Sequence, residues 1–254
     1  SGTAGLTFSA GDGTDDAMMI FTGTLADANA ALDGLTFDPT PAFMDQADWG
    51  ASLYPELRSF LLEAAAANER LRLILDAHTT LAFAAGAVLN IKSGRHVELE
   101  QRVLHRVVWR AGDTSRDPAW PAWDFTLDQV DTPSSDLAVG VCLTHDVGPA
   151  VKRHLAAALP NVGRLLVAVP QGGANSRAVA SGQHAFDLAE SLAQRINDER
   201  QPGGRIHLFI AAPNAFTFFL GQRQPSMGSV TMYEFDFGGQ NGGGYGPSIA
   251  LPVA

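Results

Sequence analysis

The sequence predicts an α/β protein with mainly parallel sheets flanked by helices, arranged as two fused halves after a short β-rich segment. Two observations predict this fold. From residue 136 to residue 212, apolar runs suited to buried strands alternate with helical patterns, an order typical of a doubly wound sheet. The order of strand, polar turn with Thr and His, and helix also occurs twice along the chain. We therefore expect a β-rich segment at 1–45 and two halves at 46–130 and 131–254.

The β-rich segment consists of short strand-like runs separated by turn signals. The runs are Leu6–Phe8, Met19–Gly23 and Leu35–Phe37. The segment resembles one cadherin-like repeat of large bacterial adhesins. Its clustered aspartates, Asp12, Asp15 and Asp16, lack the spacing of an EF-hand loop. We therefore interpret them as solvated turn residues rather than as a calcium site.

The first half is predicted to begin with a helix. Its elements in chain order are a helix at 52–68, a strand at 70–76, a helix at 81–90 and a strand at 123–127. Ser52 is the expected N-cap of the first helix, and the small residues of the second helix suit close packing on a sheet. Residues 96–109 could form either a strand or a helix. Alternating apolar residues favour a strand, whereas a helix would place Arg102, Arg106 and Arg110 on one basic face.

The second half carries the clearest alternation of strands and helices. Its predicted strands are 136–144, 163–169, 205–212 and 230–237, and its predicted helices are 149–159, 181–200 and 215–220. The first of these strands is a continuous apolar run, typical of a central parallel strand that is buried on both faces.

Composition limits the possible functions. The chain has 254 residues, of which 46% are hydrophobic, enough for one large core or two modest cores. Its net charge of −10 argues against general binding of long nucleic acid, although a locally basic pocket could still take a small anion. The single cysteine, Cys142, excludes an internal disulfide and is expected to be buried. No apolar run approaches the roughly 20 residues of a membrane span, so we expect a cytoplasmic protein without membrane contact.

Polar residues follow corresponding strands in the two halves. His78, Thr79 and Thr80 follow the first strand of one half, and Thr144 and His145 follow the first strand of the other. The paired imidazoles could contact a ligand or hydrogen-bond their own loops. No third ligand is fixed at metal-site spacing, so we predict no metal. A catalytic triad is also disfavoured because the GxSxG motif is absent.

Two further strand ends are candidates for anion binding. The loop after residue 169 is rich in glycine, and its backbone amides together with Arg177 could hold a phosphate, although a plain flexible loop is the alternative. Its other candidate residues are Pro170, Gln171, Gly172 and Gly173. At the next strand end, Asn214 is the expected helix cap, and the helix N-terminus could hold an anion. The candidates there are Pro213, Asn214, Ala215 and Phe216, with the phenylalanine either in the core or beneath a base.

Basic residues are few in this acidic chain, so their positions are informative. Lys92, Arg102 and Arg177 are our first candidates for phosphate contacts. Trp109, Trp120 and Trp123 are expected to pack in the interior more often than to stack on bases.

Several motifs resemble one family of sensor domains. They are HTTLAFAAGAVL, HVELEQR, HLFIAAPNAFTFFLGQ, VTMYEFDF and the closing YGPS, within residues 70–252. Together they resemble SAVED domains, the cyclic-oligonucleotide sensors of bacterial anti-phage systems of the CBASS and CRISPR types. The resemblance implies two fused CARF-like halves that bind a cyclic di-, tri- or tetranucleotide in the groove between them. It also implies self-association on binding, an associated effector and no cofactor.

Three classes of function are compatible with the sequence. The first is a sensor that performs no chemistry, which the resemblance favours. The second is a ring nuclease that degrades the bound cyclic oligonucleotide, and the third is a structural or adhesive module, which the N-terminal segment suggests.

Overall fold

The computed structural model describes residues 7–10, 20–22, 48–102, 106–129, 134–236 and 244–253. Its contacts divide the chain into two units, residues 1–43 and 44–254, which we describe separately. In the first unit, β1 (Thr7–Ala10) pairs antiparallel with β2 (Ile20–Thr22). Strand β2 falls within its predicted run, and β1 overlaps its predicted run but extends two residues further, to Ala10. The run Leu35–Phe37 and the three clustered aspartates lie outside the described residues, and the adhesin-like resemblance stays a prediction.

The second unit alternates helices and strands. Its helices are α1 (Tyr54–Ala67), α2 (Thr79–Val88), α3 (Gly148–Ala158), α4 (Gly182–Glu199), α5 (Asn214–Gly221) and α6 (Gln224–Met227). Its strands are β3 (Arg70–Ile74), β4 (His96–Arg102), β5 (Arg106–Trp109), β6 (Trp123–Gln129), β7 (Leu137–Cys142), β8 (Arg164–Pro170), β9 (Ile206–Ala211), β10 (Val230–Phe235) and β11 (Tyr245–Leu251).

The strands of this unit form two sheets, each of which combines parallel pairs with antiparallel edge strands: β5 in the smaller sheet and β6 and β11 in the larger. The smaller sheet has the order β3-β4-β5, in which β3 and β4 are parallel. The larger sheet has the order β11-β10-β9-β7-β8-β6, in which β10, β9, β7 and β8 are parallel. Because parallel strands end at the same edge, the polar residues after β7, β8 and β9 lie along one side of the larger sheet.

The structure settles one open prediction and shows one pairing across the predicted boundary. Residues 96–102 and 106–109 form strands β4 and β5, which confirms the favoured strand interpretation over the helical one, and Arg102 lies opposite Arg106 across their antiparallel ladder. The basic helical face therefore does not form. Strand β6 pairs along its length with β8, so a strand that precedes the predicted boundary at residue 130 completes the sheet of the second half.

Helix α1 begins differently from its prediction. A π-helical turn at Trp49–Leu53 runs directly into α1, so Ser52 lies within helical structure and does not cap it. Trp49 is buried in this turn, and Pro55 lies in the first turn of α1.

The small residues of α2 allow a close helix–helix contact in addition to the contact of α2 with strand β10 of the larger sheet. Gly86 of α2 lies against the carbonyl oxygen of Phe218 in α5, and Gly221 at the end of α5 lies against the carbonyl oxygen of Phe83 in α2. A Cβ atom at either glycine would overlap that oxygen. The two helices therefore interlock reciprocally, one glycine from each helix.

One hydrophobic core joins the two predicted halves. Its buried residues come from the smaller sheet and α1 and also from the larger sheet, α4 and α5; they include Trp49, Leu61, Phe83, Leu99, Trp109, Trp123, Leu166, Leu192, Ile206, Phe216 and Phe218. A second, smaller core lies under α3 and contains Cys142 and Tyr233. Within the described ranges, no helix has both the length and the apolar character needed to cross a membrane.

Candidate functional site

The residues that follow the parallel strands form what we call the carboxyl edge: 75–80, 143–148, 170–177 and 212–216. Contacts between these segments show which of them meet. Leu143 and Thr144 both donate their backbone amides to the carbonyl oxygen of Ala211 at 2.9 Å, and Asn175 donates to that of Leu143 at 2.9 Å. The ends of β7, β8 and β9 are thus held together by backbone hydrogen bonds.

Asn214 connects this group to the smaller sheet. Its side-chain Nδ2 donates to the carbonyl oxygens of Leu75 at 2.6 Å and Ala77 at 2.8 Å, in the segment between β3 and α2. The expected role as a helix cap is therefore wrong, because the residue before α5 is Pro213 and no side chain caps the helix there. Instead, the Asn214 side chain fixes the strand end of one half against the strand end of the other.

A carboxylate already occupies the N-terminus of α2. Glu234, at the end of β10, accepts the backbone amide of Thr80 at 2.6 Å with one oxygen, and its other oxygen lies 3.8 Å from Nδ1 of His78. The Thr80 hydroxyl is buried and shares a 2.6 Å hydrogen bond with Ser248 on β11. A ligand phosphate at this position would face Glu234 directly.

The proximity of Glu234 changes the protonation of His78. The adjacent Glu234 carboxylate, 3.8 Å away, raises the pKa of His78 above the ordinary value of 6.5, against the opposing effect of partial burial. The imidazole also packs edge-on against Trp49, with ring centroids 5.5 Å apart. His78 therefore lies between a carboxylate of the larger sheet and an aromatic ring that precedes α1.

The second strand-end histidine has a more open environment. His145 and Asp146 are exposed, and Nδ1 of His145 lies 3.1 Å from the hydroxyl of Thr144. Asp146 accepts the amide of Gly148 at 2.8 Å, which caps the start of α3. Cys142 is buried as predicted, and burial raises the pKa of its thiol to about 11, so the reactive thiolate is disfavoured at neutral pH.

The glycine-rich loop has a defined geometry. Gly172 and Gly173 adopt left-handed conformations with φ of 87° and 91°, which favour glycine. The side chain of Asn175 accepts the amide of Arg177 at 2.9 Å and donates to the carbonyl of Gly173 at 3.0 Å. Arg177 is exposed, and within the described part of the chain its guanidinium has no hydrogen-bond or ion-pair partner. This loop therefore presents one uncommitted cation at the carboxyl edge.

The remaining predicted residues do not join this group. Lys92 follows the far end of α2, a helix of ten residues or about 15 Å, and lies at the opposite edge of the smaller sheet. Ala215 and Phe216 are buried, and the Phe216 ring packs edge-on against Trp123 at 5.9 Å, so no open aromatic face is available to a base. Arg102 ends β4, whose carboxyl end lies beside that of β3.

Two acids that the sequence did not single out hold helix N-termini. Glu234 does so for α2. Asp113 accepts the amides of Gly182 and Gln183 at 2.9 Å and thereby caps α4 from the loop after β5. An acid inside the apolar run VTMYEFDF is the one sequence signal that could have drawn attention to Glu234. Across the residues that can be described, no group of three or more His, Cys, Asp or Glu side chains is placed to hold a metal ion.

Comparison with known proteins identifies one family and its fold. The family model of the "SMODS-associated and fused to various effectors sensor domain" (SAVED) matches residues 53–251. The CD-NTase-associated protein 4 of Enterobacter hormaechei subsp. hoffmannii is 31% identical over 206 residues, which cover 80% of this chain and 40% of that protein. This chain therefore spans less than half the length of that relative.

Solved structures show the same fold at lower identity. The Acinetobacter baumannii Cap4 SAVED/CARF-domain containing receptor with the cyclic trinucleotide 3′3′3′-cAAA matches with a TM-score of 0.65 and 16% identity, over 84% of this chain and 46% of that chain. The Moraxella osloensis Cap4 receptor matches with a TM-score of 0.62 and 18% identity, over 84% of this chain and 44% of that chain. These likenesses confirm the predicted α/β fold.

Proposed function

Because the chain belongs to the SAVED family of sensor domains, we propose that it binds a cyclic oligonucleotide second messenger at the carboxyl edge of its two sheets. The observation that carries the proposal is the pair of hydrogen bonds from Asn214 to Leu75 and Ala77. These bonds join the strand ends of the two halves, so a ligand seated there contacts both. Support also comes from the Acinetobacter baumannii receptor, which holds a cyclic trinucleotide.

The charges at this edge favour one side of it for the ligand phosphates. Glu234 fills the N-terminus of α2 and repels an anion there. The N-terminus of α5 is different, because the amide of Ala215 donates a long hydrogen bond, 3.3 Å, to a neutral acceptor, the side-chain oxygen of Gln101. A phosphate that displaces this weak contact gains a charge-assisted hydrogen bond. We therefore place the ligand between α5 and the loop that carries Arg177.

The proposal extends to the longer protein in which such a domain acts. The family is described as fused to various effectors, and the curated relative is more than twice as long as the matched region. Ligand binding would then drive self-association of the sensor and activation of an associated effector. Light scattering of the chain with and without bound ligand tests the self-association.

Binding is tested with the whole chain and a panel of cyclic di-, tri- and tetranucleotides. Calorimetry should show saturable binding of at least one member, and chromatography of the mixture should recover that ligand intact. Cleaved ligand would indicate a ring nuclease instead of a sensor. A folded protein that binds no member of the panel would contradict the proposal.

Two substitutions locate the groove. Arg177→Ala removes the uncommitted cation, and Asn214→Ala removes the connection between the halves; each should weaken binding by about 1–3 kcal/mol. Arg153→Ala is the matched control, since Arg153 is an exposed arginine on α3 and its loss should leave affinity unchanged. Wild-type affinity in both test variants would show that the ligand binds elsewhere.

A further inference from the structure

A basic cleft lies at the end of the smaller sheet opposite the carboxyl edge. Its volume is about 310 Å³. The lining includes Arg70 at the start of β3, Arg95 just before β4 and Arg110 just after β5. These three residues converge because β3 and β4 start at this edge and the antiparallel β5 ends there.

Among the described residues, the three arginines form no close ion pair, although the charges of Arg70 and Arg110 act on the Glu98 carboxylate of the same cleft. Within the described ranges, the side chains of Arg70, Arg95 and Arg110 make no hydrogen bond or salt bridge, although the chain as a whole has a net charge of −10. Glu98 also lines the cleft, but its carboxylate is bound by Arg72 at 2.8 Å, which holds the pKa of Glu98 below its usual value. The nearby carboxylate of Asp113 is committed to the N-terminus of α4.

The other side of the cleft is apolar. Ile91 is 60% exposed beside the arginines, an unusual position for a large aliphatic residue in the loop after α2. Phe219 of α5 and Phe186 of α4 close the cleft behind it, and the guanidinium of Arg223 covers the Phe186 ring at 4.3 Å. A ligand here would meet guanidinium groups on one side and aliphatic or aromatic surface on the other.

We propose that this cleft is a second anion-binding site, separate from the carboxyl edge, that takes one phosphorylated molecule of mononucleotide size. Guanidinium groups form paired hydrogen bonds to phosphate oxygens, and three of them match a diphosphate. The exposed face of Ile91 suits the flat surface of a base. The volume is at the lower end of the usual range for small-molecule pockets, about 300–1,000 Å³, and so fits one nucleotide unit.

The site does not depend on the proposed sensing function. Helix α2, about 15 Å long, separates the segment at His78 from the loop that carries Ile91. A mononucleotide at one end therefore touches none of the residues proposed for the groove at the other end. A mononucleotide in the cleft would contact α4 and α5, which belong to the shared core. The stability of this core would then depend on the concentration of the nucleotide.

The experiment measures ADP binding to the whole chain by calorimetry, with adenosine and inorganic phosphate as partial ligands. ADP should bind, and adenosine and phosphate alone should bind at least about tenfold more weakly, since each satisfies one side of the cleft. Arg95→Gln and Arg110→Gln should each weaken ADP binding about tenfold. Arg153→Gln makes the same charge change on α3 and should have no effect.

Three results would overturn the proposal. The first is a folded wild-type protein that does not bind ADP at low millimolar concentration. The second is an equal loss of affinity in Arg153→Gln, which would indicate a general charge effect. The third is loss of ADP binding in Arg177→Ala with retention in Arg110→Gln, which would place ADP at the carboxyl edge. None of these outcomes depends on whether a cyclic oligonucleotide binds.

Discussion

At the scale of single residues, Glu234 has the most consequential position. It brings a negative charge to the N-terminus of α2, where the partial positive charge of the helix stabilises a carboxylate. The partner amide belongs to Thr80, a residue predicted from sequence to contact the ligand. The same carboxylate accounts for the raised pKa of His78. One acid at the end of β10 thus sets both the charge and the hydrogen bonding of the predicted His–Thr–Thr site.

Replacing this acid should be visible in the titration of His78. In the folded wild type, the pKa of His78 should lie above 6.5, and Glu234→Gln should lower it because the favourable charge is lost. Since folding raises this pKa, the associated stability is fully present below about pH 6.5 and is lost as the pH rises through the folded value. NMR titration of the imidazole resonances measures the shift.

His184 provides the internal control for that titration. Burial lowers the pKa of His184, and its ring nitrogens contact Pro121 and Ala180, not Glu234. Its titration should therefore be the same in wild type and Glu234→Gln. An unchanged His78 titration in the variant would show that the two side chains do not interact in solution.

At the scale of elements, the contact between α2 and α5 fixes the relation between the two halves. Both helices start at the carboxyl edge, one after β3 and the other after β9. Their interlocking glycines allow a backbone separation that any larger side chain would prevent. The distance between the two predicted ligand-binding segments therefore depends on residues that lie away from the ligand.

Adding one methyl group at this contact should destabilise the fold. Gly86→Ala and Gly221→Ala should each lower the free energy of unfolding by about 1–3 kcal/mol or more, because the opposing atoms are backbone and cannot move aside easily. Chemical denaturation measures the change. Gly50→Ala is the matched control, since a Cβ at Gly50 meets no atom within 4 Å and should shift stability by less than about 1 kcal/mol. Equal effects at all three positions would refute the packing argument.

At the scale of the whole molecule, one hydrophobic core spans the two predicted halves, so we expect them to fold together. They share one hydrophobic core, in which Phe83 and Leu99 of the first half belong to the same cluster as Phe218 and Leu166 of the second. Strand β6 precedes the predicted boundary but pairs with β8, which follows it. A change in this core is therefore expected to alter both the stability of the chain and the position of the carboxyl edge.

Cutting the chain at the predicted boundary should leave neither piece folded. Separately expressed fragments 44–130 and 131–254 should show little cooperative unfolding by circular dichroism, because each exposes half of the shared core and β6 loses its partner. The intact chain serves as the reference. A cooperative thermal transition in either fragment alone would contradict this view and restore the two-domain interpretation.

Local patterns were sufficient for much of the fold. Apolar runs with polar ends predicted β7, β8 and β9 within two residues of their observed bounds, because burial on both faces demands continuous hydrophobic sequence. The ambiguity at 96–109 had a physical reason as well, since Arg102, Arg106 and Arg110 recur at the helical spacing of four residues although Arg102 and Arg106 lie on two different strands. The predicted cap at Asn214 failed because its partners lie more than 130 residues earlier in the chain.

The sequence by itself therefore determined the α/β class, the order of the strand ends and the family, since all three are written in local periodicity and short motifs. The tertiary structure alone decided which strand ends meet, that Glu234 fills the N-terminus of α2, and that Arg70, Arg95 and Arg110 gather at the opposite edge. These features depend on hydrogen bonds and charges between residues distant in sequence. Such pairings arise only when the shared core brings the two halves together.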